Sequence, residues 1–163
     1  MPNKLTLKDL IPTIKEVVSR GQEATFIPHG ISMKPMLLGG RDEIVLVKPQ
    51  FPLKKYDLPL YVRNNGMVVL HRIVDIKNTN GKTEYIMCGD NTWSLERGIF
   101  EDNIVAVVSR FRRNGKWYEA DNKCYKTYAK LWSKSFALRK GIRWVLRLPI
   151  RAVRKLKRIL FSK

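Results

Sequence analysis

The sequence predicts a mainly β domain with a short N-terminal helix and a basic, amphipathic helical tail at its C-terminus. Three observations carry that prediction. Between Ala24 and Tyr118 the chain reads as short β-rich runs separated by Asn-Gly steps. Before Gly21 and after Asp121 the apolar residues recur instead at three and four. At 163 residues the chain has room for one domain and an appendage, so the division expected is a body at 1–121 that includes the first helix and a tail at 122–163.

The first helix follows from Thr6 and Asp9, placed as in a capping box with Asp for Glu. Leu7, Leu10, Ile11, Ile14, Val17 and Val18 then form one apolar stripe, and Gly21 is the expected stop. Strands are expected at Ala24–Pro28, Glu43–Lys48, Leu60–Arg63, Met67–Ile76, Thr83–Cys88, Ile104–Arg112 and Lys116–Tyr118. The breaks at Asn64-Asn65-Gly66, Asn80-Gly81 and Asn114-Gly115 suit the left-handed backbone of tight hairpins, which implies antiparallel pairing. Beyond Asp121, Arg139, Arg143, Arg147 and Arg151 recur every fourth residue beside an apolar stripe from Leu138 to Leu160. Pro149 is expected to divide that segment into two helices.

Charge separates the two parts. Residues 122–163 hold 14 Lys or Arg and no acid, whereas residues 1–121 balance 18 basic against 14 acidic residues. A tail of that sign seeks a polyanion, and Trp132, Phe136, Trp144 and Phe161 on its apolar side favour an anionic membrane surface over nucleic acid, the weaker alternative. A charge every fourth residue excludes a membrane span there. The first 30 residues read as neither a secretory signal nor an anchor, so a cytoplasmic protein, peripheral on the inner face of the membrane, is expected. Cys88 and Cys124 form no Cys-x-x-Cys pair and only His29 and His71 are present, so no disulfide framework, metal site or cofactor is expected.

Candidate chemistry gathers at three places. Gly30-Ile31-Ser32-Met33-Lys34-Pro35-Met36 follows a predicted strand and sets a serine in a turn. Leu70-His71-Arg72-Ile73 places a histidine among apolar residues, and Cys88-Gly89-Asp90-Asn91 ends a later strand with a carboxylate. A serine hydroxyl is a weak nucleophile until an imidazole takes its proton, and a carboxylate on the other ring nitrogen holds that imidazole in the useful tautomer. Of the remaining polar residues, His29, Lys34, Asp57 and the Arg41-Asp42 pair read as turn or solvated side chains, and Cys88 as a buried small hydrophobe.

In order and spacing, the G-x-S-M-x-P run at Gly30–Pro35, the H-R-I run at His71–Ile73 and the G-D-N run at Gly89–Asn91 resemble the sequence boxes of the signal peptidase I superfamily. They are similar to its histidine type, whose fold is shared with LexA-like self-cleaving peptidases, and the resemblance covers about Phe26 to Val108. It implies a signal-peptidase-like β-rich core and a serine endopeptidase that cleaves a leader or precursor peptide. Ser32 would be the nucleophile and its backbone N–H part of the oxyanion hole, with His71 the general base. Asp90 is favoured to orient His71 because a short side chain at a strand end is rigidly placed; Glu96, six positions on, is the alternative acid. Gly30 stands where many signal peptidases have a serine that donates to the oxyanion. The other readings are a LexA-like self-cleaving regulator and a non-catalytic membrane-docking adaptor of the same fold.

Overall fold

The computed structural model of the chain describes residues 7–134. Thr6 and the arginine and apolar stripes beyond Lys134, including Pro149, lie outside the described residues. The described chain is mainly β, opened by helix α1 (Leu7–Ser19) and ended by helix α2 (Lys123–Lys134). Between them come β1 (Ala24–Phe26), β2 (Glu43–Val47), β3 (Pro59–Val62), β4 (Val68–Leu70), β5 (Arg72–Thr79), β6 (Lys82–Cys88), β7 (Glu96–Ile99), β8 (Ile104–Arg113) and β9 (Lys116–Glu119). The chain divides into two compact units, the first ending at Thr127 and the second beginning at Tyr128, and all nine strands belong to the first.

Helix α1 buries Ile14 and Val18, one turn apart, and packs on β8 and β1. It stops at Gly21, whose φ of +77° lets its N–H turn back to the Val18 carbonyl at 3.1 Å. At the other end, Asn122 caps α2, its side-chain oxygen accepting the Cys124 N–H at 2.8 Å. Two of the Asn-Gly steps act as the sequence implies, while at Asn65-Gly66, between β3 and β4, only the glycine has positive φ. Asn80-Gly81 and Asn114-Gly115 each hold two consecutive residues at positive φ and join β5 to β6 and β8 to β9 in antiparallel register.

The strands form two antiparallel sheets. One has the order β1-β2-β8-β3-β4, with β9 also paired to β8, and the other is β5-β6-β7. Tyr61 and Ile104 from the first sheet and Ile73, Tyr85, Met87 and Ile99 from the second make one apolar cluster, so the core lies where the sheets meet. Each large side chain fully buried there is worth about 1.5–3 kcal/mol.

Two differences from the sequence reading shape the site. The run expected as one strand over Met67–Ile76 is two strands in different sheets, broken at His71. The segment Glu96–Ile99, not read as a strand, is β7, the edge of the smaller sheet. The break hands the chain from one sheet to the other at a histidine, and the extra strand carries Glu96 to that junction.

Candidate active site

Ser32 and His71 open on one cleft of about 300 Å³. Its walls come from both edges of the larger sheet: Phe26 of β1 with the segment after it, and Val68, Val69 and Leu70 of β4. Ser32 lies in the turn after β1 and His71 directly after β4, so each follows an edge strand. The Ser32 turn is anchored from below by Met33, Met36 and Leu37, all buried, which fixes its backbone while the serine side chain stays partly exposed. A close backbone approach completes the anchor: a Cβ on Gly39 would lie 2.2 Å from the Gly30 carbonyl oxygen, so residue 39 must lack one.

The Gly89-Asp90-Asn91 turn seats the Ser32 segment against His71. The Asn91 N–H donates to the Ser32 carbonyl at 2.7 Å, and Thr92 Oγ1 accepts the Gly89 N–H at 2.9 Å. A Cβ on Gly89 would sit 2.7 Å from the Ser32 carbonyl oxygen and 2.9 Å from His71 Nε2. The Ser32 backbone and His71 Nε2 therefore both lie against the same bare Cα, and only glycine fits there.

His71 is 4% exposed, and its Nδ1 lies 2.8 Å from Glu96 Oε1. Glu96 is filled by donors: Oε1 also takes Arg63 Nη2 at 2.5 Å, while Oε2 takes Arg63 Nε at 2.7 Å and the Tyr61 hydroxyl at 2.8 Å. The sequence reading favoured Asp90 for this contact, and the geometry corrects it. Both oxygens of Asp90 are held by Arg72, Oδ1 by Nε at 2.8 Å and Oδ2 by Nη2 at 2.7 Å. Arg72 is fully buried and spends its other donors on the Tyr56 carbonyl, the Tyr125 hydroxyl and Met36 Sδ. A guanidinium in that setting requires a carboxylate, and Asp90 is the one within reach. Glu96, weighed as the alternative acid, is the carboxylate on the imidazole.

The local field follows. Burial pushes the His71 pKa below the ordinary imidazole value, and the Arg63 charge adds to that; Glu96 pulls the other way without overcoming them. Burial alone would raise the Glu96 pKa, but Arg63, Tyr61 and His71 outweigh it and hold the carboxyl below its usual range. Burial, reinforced by the Glu96 carboxylate, drives the Tyr61 phenol upward, so it stays a neutral donor. Near neutral pH the site therefore holds a neutral imidazole, with Nδ1 on a carboxylate and Nε2 toward Gly89 and the cleft.

Of the other residues singled out in the sequence, His29 lines the cleft and is exposed, and Lys34 is exposed. Asp57 and Asp42 are turn residues, accepting the Lys54 and Leu38 N–H groups at 2.8 Å. Cys88 is buried and in no disulfide. Sequence reasoning missed Tyr61, Arg63 and Thr92. The signal for the first two was their spacing, since residues two apart along an extended chain share a face. Compared with known proteins, the chain matches no family model, and a search of curated proteins returns no match.

Proposed function

We propose that this protein is a serine endopeptidase that cleaves a leader or precursor peptide in an extended conformation. The observation that supports it most is the meeting of Ser32 and His71 at one cleft with a partly buried carboxylate behind the imidazole. Ser32 Oγ attacks the scissile carbonyl while His71 Nε2 takes its proton. His71, steadied by Glu96, then returns the proton to the departing amine, and water releases the acyl group from Ser32 by the same route. The Ser32 backbone N–H is assigned to the oxyanion. The cleft lies between β1 and β4, the two ends of the larger sheet, so an extended peptide has strand edges to pair with.

The basic segment from Asn122 onward is assigned to an anionic membrane surface, on the strength of its 14 positive charges without an acid and its interleaved aromatic residues. No helix among the described residues is long and apolar enough to cross a membrane. A peptidase peripheral on the cytoplasmic face fits these features.

The test is a diverse peptide library incubated with the full chain and with Ser32→Ala, read as new termini by mass spectrometry. New termini made by the wild type and lost in Ser32→Ala support the reading. No cleavage by the wild type, or equal cleavage by Ser32→Ala, overturns it.

A further inference from the structure

We propose that Arg63 and Tyr61 are positioning residues for the base: together they fix Glu96 against His71 Nδ1, so that the imidazole keeps one tautomer and one orientation toward the cleft. The inference rests on the reading of His71 as general base.

The geometry leaves Glu96 little freedom. A carboxylate offers about four acceptor sites, and here four donors fill them: His71 Nδ1 and Arg63 Nη2 on one oxygen, Arg63 Nε and the Tyr61 hydroxyl on the other. The forked contact from Arg63 sets the plane of the carboxylate, which a single lysine ammonium would not do. Tyr61 touches both partners, since its hydroxyl lies 2.8 Å from Glu96 and 3.4 Å from His71 Nδ1. Its ring is rooted in the core between the sheets, so it acts as a rigid post.

An ion pair serving structure alone would be indifferent to the imidazole beside it. This one shares Glu96 Oε1 with that imidazole, so its charge acts on the proton affinity of His71. The charged or titratable groups around His71 are Glu96 on β7, Tyr61 of β3, Arg63 directly after β3, Asp90 in the turn after β6, the adjoining Arg72, and His29 across the cleft. Among them Arg63 is the cation that opposes protonation of His71. Removing its charge makes His71 easier to protonate, so the base is lost at higher pH; replacing it by lysine keeps the charge and loses the fork.

The test follows the His71 ring protons of the full chain by NMR against pH. His29 and His71 are the chain's two histidines, and His29→Asn assigns the signals. In parallel, the acylation rate of Ser32 by p-nitrophenyl butyrate is measured over the same pH range. In Arg63→Gln the His71 midpoint should rise by on the order of one pH unit. The acid limb of acylation should move with it, and the plateau rate should fall about 10- to 100-fold. Arg63→Lys should keep the midpoint near wild type while its plateau falls, and Tyr61→Phe should lower the plateau alone. A His71 midpoint in folded Arg63→Gln equal to wild type, or displaced as far in Arg63→Lys, overturns the proposal. Because the titration needs no turnover, a wild type that titrates as expected but never acylates Ser32 counts against the peptidase reading and leaves the placement of Arg63 standing.

Discussion

Among the described residues, two carboxylate–arginine pairs lie a few residues apart in sequence, one fully buried and one partly exposed, and they do different things. Arg72 takes both oxygens of Asp90, and its remaining donors go to the Tyr56 turn, to Met36 under the serine turn and to Tyr125 of α2. That pair is a clamp, tying β5 and the Asp90 turn to three further segments in the interior. Glu96 and Arg63 are partly exposed, and one oxygen of Glu96 is shared between Arg63 and an imidazole that faces a cleft. The difference between them lies in what else meets the carboxylate and its arginine: Arg72 ties Asp90 to the Tyr56 carbonyl and to α2, whereas Glu96 also meets a group that can gain and lose a proton.

Substitutions at the two pairs should separate along that line. The largest effect is expected from Glu96→Gln, which presents an amide to His71 and disturbs its tautomer. Its rate of ester hydrolysis should drop on the order of 10⁴-fold with only a modest change in thermal midpoint, read by steady-state kinetics and calorimetry. Asp90→Asn should show the reverse emphasis. Stranding a buried guanidinium costs about 3–5 kcal/mol, measured as a lower urea midpoint, and any loss of rate should follow the unfolded fraction. Gly89→Ala tests the ground between them, because its methyl would press on His71 Nε2 from one side and on the Ser32 carbonyl from the other. About a 100-fold fall in rate is expected with the Glu96 contact intact, checked by kinetics at saturating substrate. Tyr125→Phe is the mildest. It removes one acceptor from Arg72 Nη1, which still has the Tyr56 carbonyl at 3.3 Å, and about 1–2 kcal/mol of stability should be lost in denaturant titration.

The pH response of folding sharpens the same contrast. Glu96 is held below its usual range, so its contribution is present above the ordinary carboxylate pKa and lost as pH falls through the lowered value. His71 is held below the ordinary imidazole value, so acid also favours the unfolded state, which binds its proton more readily. Both act in one direction: stability should fall as pH drops below about 6.5.

Local chemistry made much of this visible in the sequence. Asn80-Gly81 and Asn114-Gly115 announced their hairpins because two successive positive φ values are costly for most other residues. The Gly21 stop and the apolar stripe of α1 were equally local. Three features were hidden because they depend on tertiary partners. Glu96-Arg97-Gly98-Ile99 has neither alternation nor β-branched bulk beyond its last residue, and it is a strand only because β6 offers an edge. The break at His71 sits inside an apolar run that reads as continuous, since either sheet would accept such residues. The choice between Asp90 and Glu96 turned on Arg72: a short, rigid carboxylate looked the better support for His71, yet the residue next to His71 is a buried guanidinium that takes it.

Everything catalytic in this account depends on Ser32 being activated by His71, and intact-mass analysis with peptide mapping after exposure to an alkyl fluorophosphonate tests that dependence most directly. One adduct, mapped to Ser32, is expected on the wild-type full chain, and a His71→Ala chain should remain folded but form it on the order of 10³- to 10⁴-fold more slowly. An adduct that maps to another residue, or one that forms on Ser32 at the wild-type rate in His71→Ala, would contradict it.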